Sequence, residues 1–174
     1  MIFCFSATGN TKHVADEIKS AGEVIISIAD ALNSNELSFE IKDGRIGILT
    51  PTYNWGLPSI VHEFLEKAVF SYSEAPYVFY IGTCGTTTGS ASSFVKSLLK
   101  SKDIKLNAEF DIKRPDTWIV LFDLSDERKV NKRLEKSEQE IEKLKKQLEH
   151  RALGKHMGLT TPLFIGRIGQ RIYD

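Results

Sequence analysis

The chain has 174 residues, 41% of them hydrophobic and 26% charged, which suits one globular domain and excludes disordered, collagen-like and low-complexity architectures. Lysine plus arginine and aspartate plus glutamate number 23 each, so the formal net charge is zero and the basic excess of a nucleic-acid-binding domain is missing. No apolar run approaches the ~18 residues that span a bilayer. The apolar opening at residues 2–5 is too short, and lacks the basic flank, for a signal peptide, so a cytoplasmic protein without membrane contact is expected.

Strand-like and helix-like patterns alternate from the first residue. Ile2-Phe3-Cys4-Phe5 is a short apolar run followed by the small-residue turn Ser6-Ala7-Thr8-Gly9-Asn10-Thr11. Val14, Ala15, Ile18 and Ala21 then share one face of a helix. The β-branched run at residues 24–28 predicts a second buried strand. Residues 30–42 follow neither period clearly, and Asp43-Gly44 marks a turn before a strand over 45–50. After the loop at 51–58, Ile60, Val61, Phe64, Leu65, Ala68 and Val69 recur at helical spacing. Residues 77–81 predict the next strand, 82–89 a loop, and Ala91, Phe94, Val95, Leu98 and Leu99 another amphipathic helix. Residues 104–112 and 117–122 are strand candidates around a break at Pro115. Ser125 caps a long charged helix to about residue 151, with Val130, Leu134, Ile141, Leu144 and Leu148 as its apolar stripe.

Repeated β-then-α alternation with strands apolar throughout predicts an α/β fold, a parallel sheet with helices on both faces. Ligands in such sheets bind beyond the carboxyl ends of the strands, where strand order reverses. Three loops leave such ends here, and all three are rich in glycine or small hydroxylated residues. No repeat or linker divides the chain.

The first of these loops, residues 6–11, sits where free helix N–H groups and the positive end of the helix dipole attract an anion. Ser6, Thr8 and Thr11 add hydroxyl donors, and Gly9 permits close backbone approach. The Gly-Lys-Ser/Thr of a Walker loop is absent, which disfavours a nucleoside triphosphatase. A plain helix cap would use the same residues. Cys4 and Cys84 are the only cysteines, too few for a disulfide-stapled fold, a four-thiolate cluster or structural zinc. Cys4 belongs in the core, and Cys84 is expected to pack rather than react. His13, His62, His150 and His156 show no metal-ligand spacing, and His13 is expected on a surface helix position.

The segment Ser-Ala-Thr-Gly-Asn-Thr after an N-terminal strand resembles the flavodoxin phosphate loop, Ser/Thr-x-Thr-Gly-x-Thr. The resemblance extends to Pro51-Thr52-Tyr53-Asn54-Trp55-Gly56-Leu57-Pro58, to Phe64-Leu65 and to Gly82-Thr83-Cys84-Gly85. It is nearest to the flavodoxin half of flavodoxin–ferredoxin fusion proteins of anaerobic prokaryotes, which Pro115-Asp116-Thr117-Trp118 and the charged helix also resemble. It covers roughly residues 1–150. It implies a three-layer sandwich, a five-stranded parallel sheet with helices on both faces. A domain over 1–151 would be followed by a tail, 152–174, packed on the domain or on a partner.

The resemblance also implies FMN as cofactor, with its phosphate at Ser6, Ala7, Thr8, Gly9, Asn10 and Thr11. The ring would lie between Pro51, Thr52, Tyr53, Asn54, Trp55 and Gly56 on one side and Thr83, Cys84, Gly85 and Thr86 on the other. Tyr53 and Trp55 suit stacking on a flat ring, though aromatic rim residues also occur without cofactors. Family members flip a peptide beside the flavin on reduction, which here points to Trp55-Gly56. Backbone donors at 83–86 would tune the reduced ring.

The chain departs from short-chain flavodoxins in being neutral rather than acidic and in having no aromatic residue at 84–90. Trp118 would cover the ring face left by that gap, or the face stays open. No cysteine follows Cys84, so a separate redox protein, a ferredoxin or a flavin reductase, would replace the missing ferredoxin module. The expected function is electron transfer with no acid, base or nucleophile side chain. The alternatives are an FMN-dependent NAD(P)H:quinone-type reductase and a module that has lost flavin binding.

Overall fold

A computed structural model describes residues 1–115, 127–158 and 160. The chain order is β1 (Ile2–Cys4), α1 (Asn10–Ile18), β2 (Ile25–Ser27), α2 (Ile28–Ser34), β3 (Ser38–Glu40), β4 (Arg45–Pro51) and α3 (Ser59–Lys67). There follow β5 (Val69–Ser71), β6 (Tyr77–Cys84), α4 (Ala91–Lys100), β7 (Ala108–Lys113), α5 (Glu127–Glu149) and β8 (Gly154–His156).

Six strands form one sheet in the order β2-β1-β4-β6-β7-β8, and every pair is parallel. Its first five strands run in the doubly wound order of flavodoxin-like sheets. Side chains alternate across it, as the pleat requires. Phe3, Ile46, Ile48, Val78 and Tyr80 enter one core with residues of α2, α3 and α4. Ile2, Cys4, Leu49, Phe79 and Ile81 enter a second core against α1 and α5. Every residue of β6 is buried, which explains why its sequence is apolar without alternation. The result is the expected α/β sandwich of three layers.

Several elements differ from the sequence expectation. The main sheet has six strands rather than five, because β8 pairs with β7. A second sheet of two strands pairs β3 with β5 in parallel. Residues 30–42, which showed no clear period, divide between the end of α2 and β3. Helix α3 stops at Lys67, and Val69 starts β5 and stands exposed instead of continuing the apolar face. The aromatic rings explain this: Phe39 and Phe70 face each other in register and both pack on Phe3, at 4.8 and 5.2 Å between centroids. Strand β2 is half-buried rather than buried, as befits an edge. The strand candidate at 117–122, the Asp116-Thr117-Trp118 segment, the Ser125 cap and most of the tail lie outside the described residues.

Candidate functional site

The chain leaves β1 for α1 on one face of the sheet and leaves β4 for α3 on the other. Since β1 and β4 are neighbours, their loops diverge and open a crevice at the point where strand order reverses. The loop after β6 borders it, because β6 lies beside β4. All three glycine- or hydroxyl-rich loops therefore meet at one end of the sheet.

In the first loop, Ala7, Thr8 and Gly9 are exposed, Ser6 and Asn10 half-buried and Thr11 buried. Gly9 stands at the N-cap of α1 with φ +88°, and among the described residues no side chain caps this helix. A positive φ at this point suits glycine, and the uncapped turn leaves N–H donors for an anion. Asn10 turns its side-chain amide to the Pro115 carbonyl at 3.4 Å. Thr11 shares a hydrogen bond of 2.7 Å with the Thr83 hydroxyl, which ties α1 to the end of β6. The Ser6 Oγ and Thr52 Oγ1 hydroxyls, at the ends of β1 and β4, are buried and have no hydrogen-bond partner among the described residues. A phosphoester and the hydroxylated chain of a flavin mononucleotide would satisfy both, so these residues fit FMN.

The second loop is a tight hairpin. Tyr53 and Gly56 exchange backbone hydrogen bonds at 3.2 and 2.8 Å, with Asn54 and Trp55 between them at φ +48° and +57°. Two successive positive φ values define a type I′ turn. Asparagine tolerates that geometry, but for tryptophan it costs about 1–2 kcal/mol. Trp55 is 61% exposed and Tyr53 44%; Tyr53 meets the Phe5 ring edge-on at 6.3 Å between centroids, whereas burial does not hold the Trp55 ring.

What holds Trp55 is the third loop. The Ser90 N–H and its hydroxyl both donate to the Trp55 carbonyl, at 2.8 and 3.1 Å. Gly89 presses against the same residue: a Cβ there would stand 2.2 Å from the Trp55 carbonyl oxygen. Ser90 occupies the N-cap of α4 yet makes no cap hydrogen bond, its hydroxyl being committed to Trp55. The Trp55–Gly56 peptide, the expected flipping element, is thus fixed at both ends, with the Gly56 N–H bonded to Tyr53. Among the described residues no backbone hydrogen bond ties the Asn54–Trp55 peptide at the centre of the turn.

Pro51 and Thr52 are half-buried at the end of β4, and Thr52 N–H donates to the Thr83 carbonyl at 2.9 Å. Thr83 and Cys84 are buried in β6, Gly85 is half-buried and Thr86 exposed. Burial pushes the Cys4 thiol up to about 12, which leaves it protonated and inert. Beneath the site the Tyr80 hydroxyl bonds Thr50 at 3.0 Å, and burial raises its pKa.

Sequence reasoning missed Gly89, Ser90 and Arg114. Buried Arg114, just after β7, donates to Ser137 at 3.0 Å and to Glu138 at 2.8 Å. Glu138 also meets the His13 ring at 3.1 Å, so His13 is a partly exposed helix contact rather than a bare surface position. Burial alone would raise the Glu138 pKa, but the hydrogen bonds from His13 and Arg114 hold it below the usual range. Among the described residues no group of His, Cys, Asp and Glu could hold a metal.

No family model and no curated protein matches the chain. Solved structures with a similar fold include the Trp repressor binding protein from Bacillus subtilis, at 10% identity and TM-score 0.43 over 67% of this chain and 85% of that one. A flavodoxin from Streptococcus pneumoniae TIGR4 is 16% identical, with TM-score 0.40 over 80% and 97%. An FMN-dependent NADH-azoreductase from Bacillus anthracis str. Ames Ancestor, solved with FMN, is 11% identical, with TM-score 0.46 over 84% and 97%. At such identities the fold rests on the strand order above, and the chain is an α/β protein with the doubly wound order of flavodoxin-like sheets.

Proposed function

We propose that the chain is an FMN-binding redox protein that accepts electrons from one redox partner and hands them to another. The observation that carries this reading is the pair of buried, unpartnered hydroxyls on Ser6 and Thr52 beside the uncapped start of α1. Leaving a buried hydroxyl unpaired costs about 1–3 kcal/mol, and one phosphorylated, hydroxylated ligand in the crevice removes both costs.

In this reading residues 6–11 hold the phosphate through backbone N–H groups and hydroxyls. Tyr53 and Trp55 flank the ring, and the backbone at 83–86 meets its polar edge. FMN supplies the one- and two-electron chemistry when bound. The chain binds it, orients it and shields one side from water. The Asn54–Trp55 peptide is the group positioned to turn its carbonyl toward a proton on the ring. A separate redox protein, a ferredoxin or a flavin reductase, is the electron source this reading requires.

The lack of any aromatic residue at 84–90 favours a second reading, in which an open ring face admits a nicotinamide and the protein is an NAD(P)H-dependent reductase. One experiment separates them. The protein is mixed with FMN, freed of excess by gel filtration, and exposed anaerobically to NADH or NADPH. Retained yellow colour that bleaches only when a reductase is added supports the carrier. Rapid bleaching by the nucleotide alone supports the reductase, and loss of colour on the column refutes both.

A further inference from the structure

Between Cys84 and Ala91 the third loop reads Gly-Thr-Thr-Thr-Gly-Ser, so it carries no large apolar side chain to anchor it in a core. Its last two residues nevertheless hold the strained backbone of Trp55, and a strained backbone persists only where the residues around it are themselves fixed. Gly89 and Ser90 are buried, and Gly89 meets two other stretches of chain. One is the Trp55 backbone, where a Cβ on Gly89 would come within 2.6 Å of the Trp55 Cα. The other is Thr160, which pairs with Gly89 in an isolated parallel β-bridge.

Thr160 is itself tied back to the main sheet. Its hydroxyl accepts a hydrogen bond from the Lys155 ammonium of β8, and β8 pairs with β7. Two residues before Thr160, the Gly158 N–H donates to the Asp111 carboxylate of β7 at 3.2 Å, and Met157 packs on the core to which α4 contributes. The chain after β8 therefore leads from the edge of the sheet to the residue that presses on Trp55.

We propose that Lys155 and Thr160 are positioning residues of the crevice. They brace Gly89 and Ser90 from the edge of the sheet, and through them hold the Trp55 turn in the shape that receives a flat ring. The ring rests on the FMN-binding reading above. The coupling from Lys155 through Thr160 to Trp55 belongs to the chain itself and holds without the cofactor. A loop fixed by few apolar contacts opens locally, and the tie to β8 opposes that opening.

The test uses the full chain carrying Lys155→Met or, separately, Thr160→Val. Each removes the side-chain hydrogen bond, at an exposed and a half-buried position respectively. In the cofactor-free protein, amide hydrogen exchange is followed at Ser90, whose N–H donates to Trp55, and at Ile81, buried in β6. Both variants are expected to speed exchange at Ser90 at least about threefold and to change it at Ile81 by less than about 1.5-fold. Unchanged exchange at Ser90 overturns the proposal. Equal acceleration at both amides also overturns it, because that marks a general loosening of the fold. A double-mutant cycle on FMN affinity with Trp55→Gly gives the second readout. Lys155→Met is expected to weaken binding at least about threefold in the parent and less than about 1.5-fold where Trp55 is replaced. No weakening in the parent, or equal weakening in both backgrounds, contradicts the proposal. Failure of the parent to bind FMN refutes the function proposed above and leaves the exchange result to decide the coupling.

Discussion

Trp55 is the residue on which the site turns. It adopts a left-handed backbone that tryptophan disfavours, and it does so with its ring mostly in water. Backbone strain of this kind persists only where neighbours over-determine it, and Gly89 and Ser90 are those neighbours. Substituting Gly89 by alanine puts a Cβ against the Trp55 carbonyl on a backbone at φ +54°. We expect a loss of about 2 kcal/mol of stability, read by denaturant unfolding, together with weaker FMN binding. Trp55→Gly separates the two effects. It relieves the backbone while removing the stacking ring, so thermal stability should stay within about 1 kcal/mol of the parent and FMN affinity should fall at least tenfold. Tyr53, Trp55 and the hydroxyls of the first loop were legible in the sequence because their residue types advertise their chemistry. Gly89 and Ser90 were not, since a glycine–serine pair before a helix looks like an ordinary cap. Their role arises from contact with a carbonyl 35 positions away, which no local pattern encodes.

At the scale of elements, α1, α5 and the end of β7 are joined through His13, Glu138, Ser137 and Arg114. Arg114 sits in the core edge while Glu138 is half-exposed, so solvent weakens their attraction. Arg114→Ala leaves the Ser137 and Glu138 oxygens without their cation, and about 1–2 kcal/mol of stability should be lost in urea unfolding. Both Glu138 and Glu23 are held below the ordinary carboxylate pKa. Burial works against this in each, and hydrogen bonds prevail, from His13 and Arg114 in one and from Arg45 and the Ser20 backbone in the other. A carboxylate with a lowered folded-state pKa stabilises the fold fully above the unfolded value near ~4.3 and loses that contribution as pH falls through the folded value. Stability should therefore be level near neutrality and decline below about pH 4, and Glu23→Gln should reduce that decline. The long stripe of α5 and the faces of α1 and α4 were legible because their apolar spacing is regular. Strands β3 and β5 were not: three residues each, they form only because Phe39 and Phe70 find each other and Phe3 across the fold. The apolar spacing of α3 ran on into Val69, and nothing local separates a helix's last turn from the first residue of such a strand.

For the whole molecule, the alternation of strands and helices was enough to derive a doubly wound parallel sheet and to place three loops at one end. The sixth strand escaped because Gly154–His156 is short and exposed, with none of the apolar signal that marks a strand buried on both faces. A ligand that binds only the folded chain must stabilise it, by about 2.7 kcal/mol at a hundred times its dissociation constant. The thermal midpoint should therefore rise with FMN concentration. Among the described residues no helix is long and apolar enough to cross a membrane. The FMN-binding reading stands on the first loop, with its unpaired Ser6 hydroxyl, binding the phosphate of FMN. Its most direct test is a parallel fluorescence titration of the cofactor-free protein with FMN and with riboflavin, which differ by that phosphate alone. FMN is expected to bind at least about a hundredfold more tightly, as two charge-assisted hydrogen bonds would give. Equal affinities, or no binding of either, would contradict it.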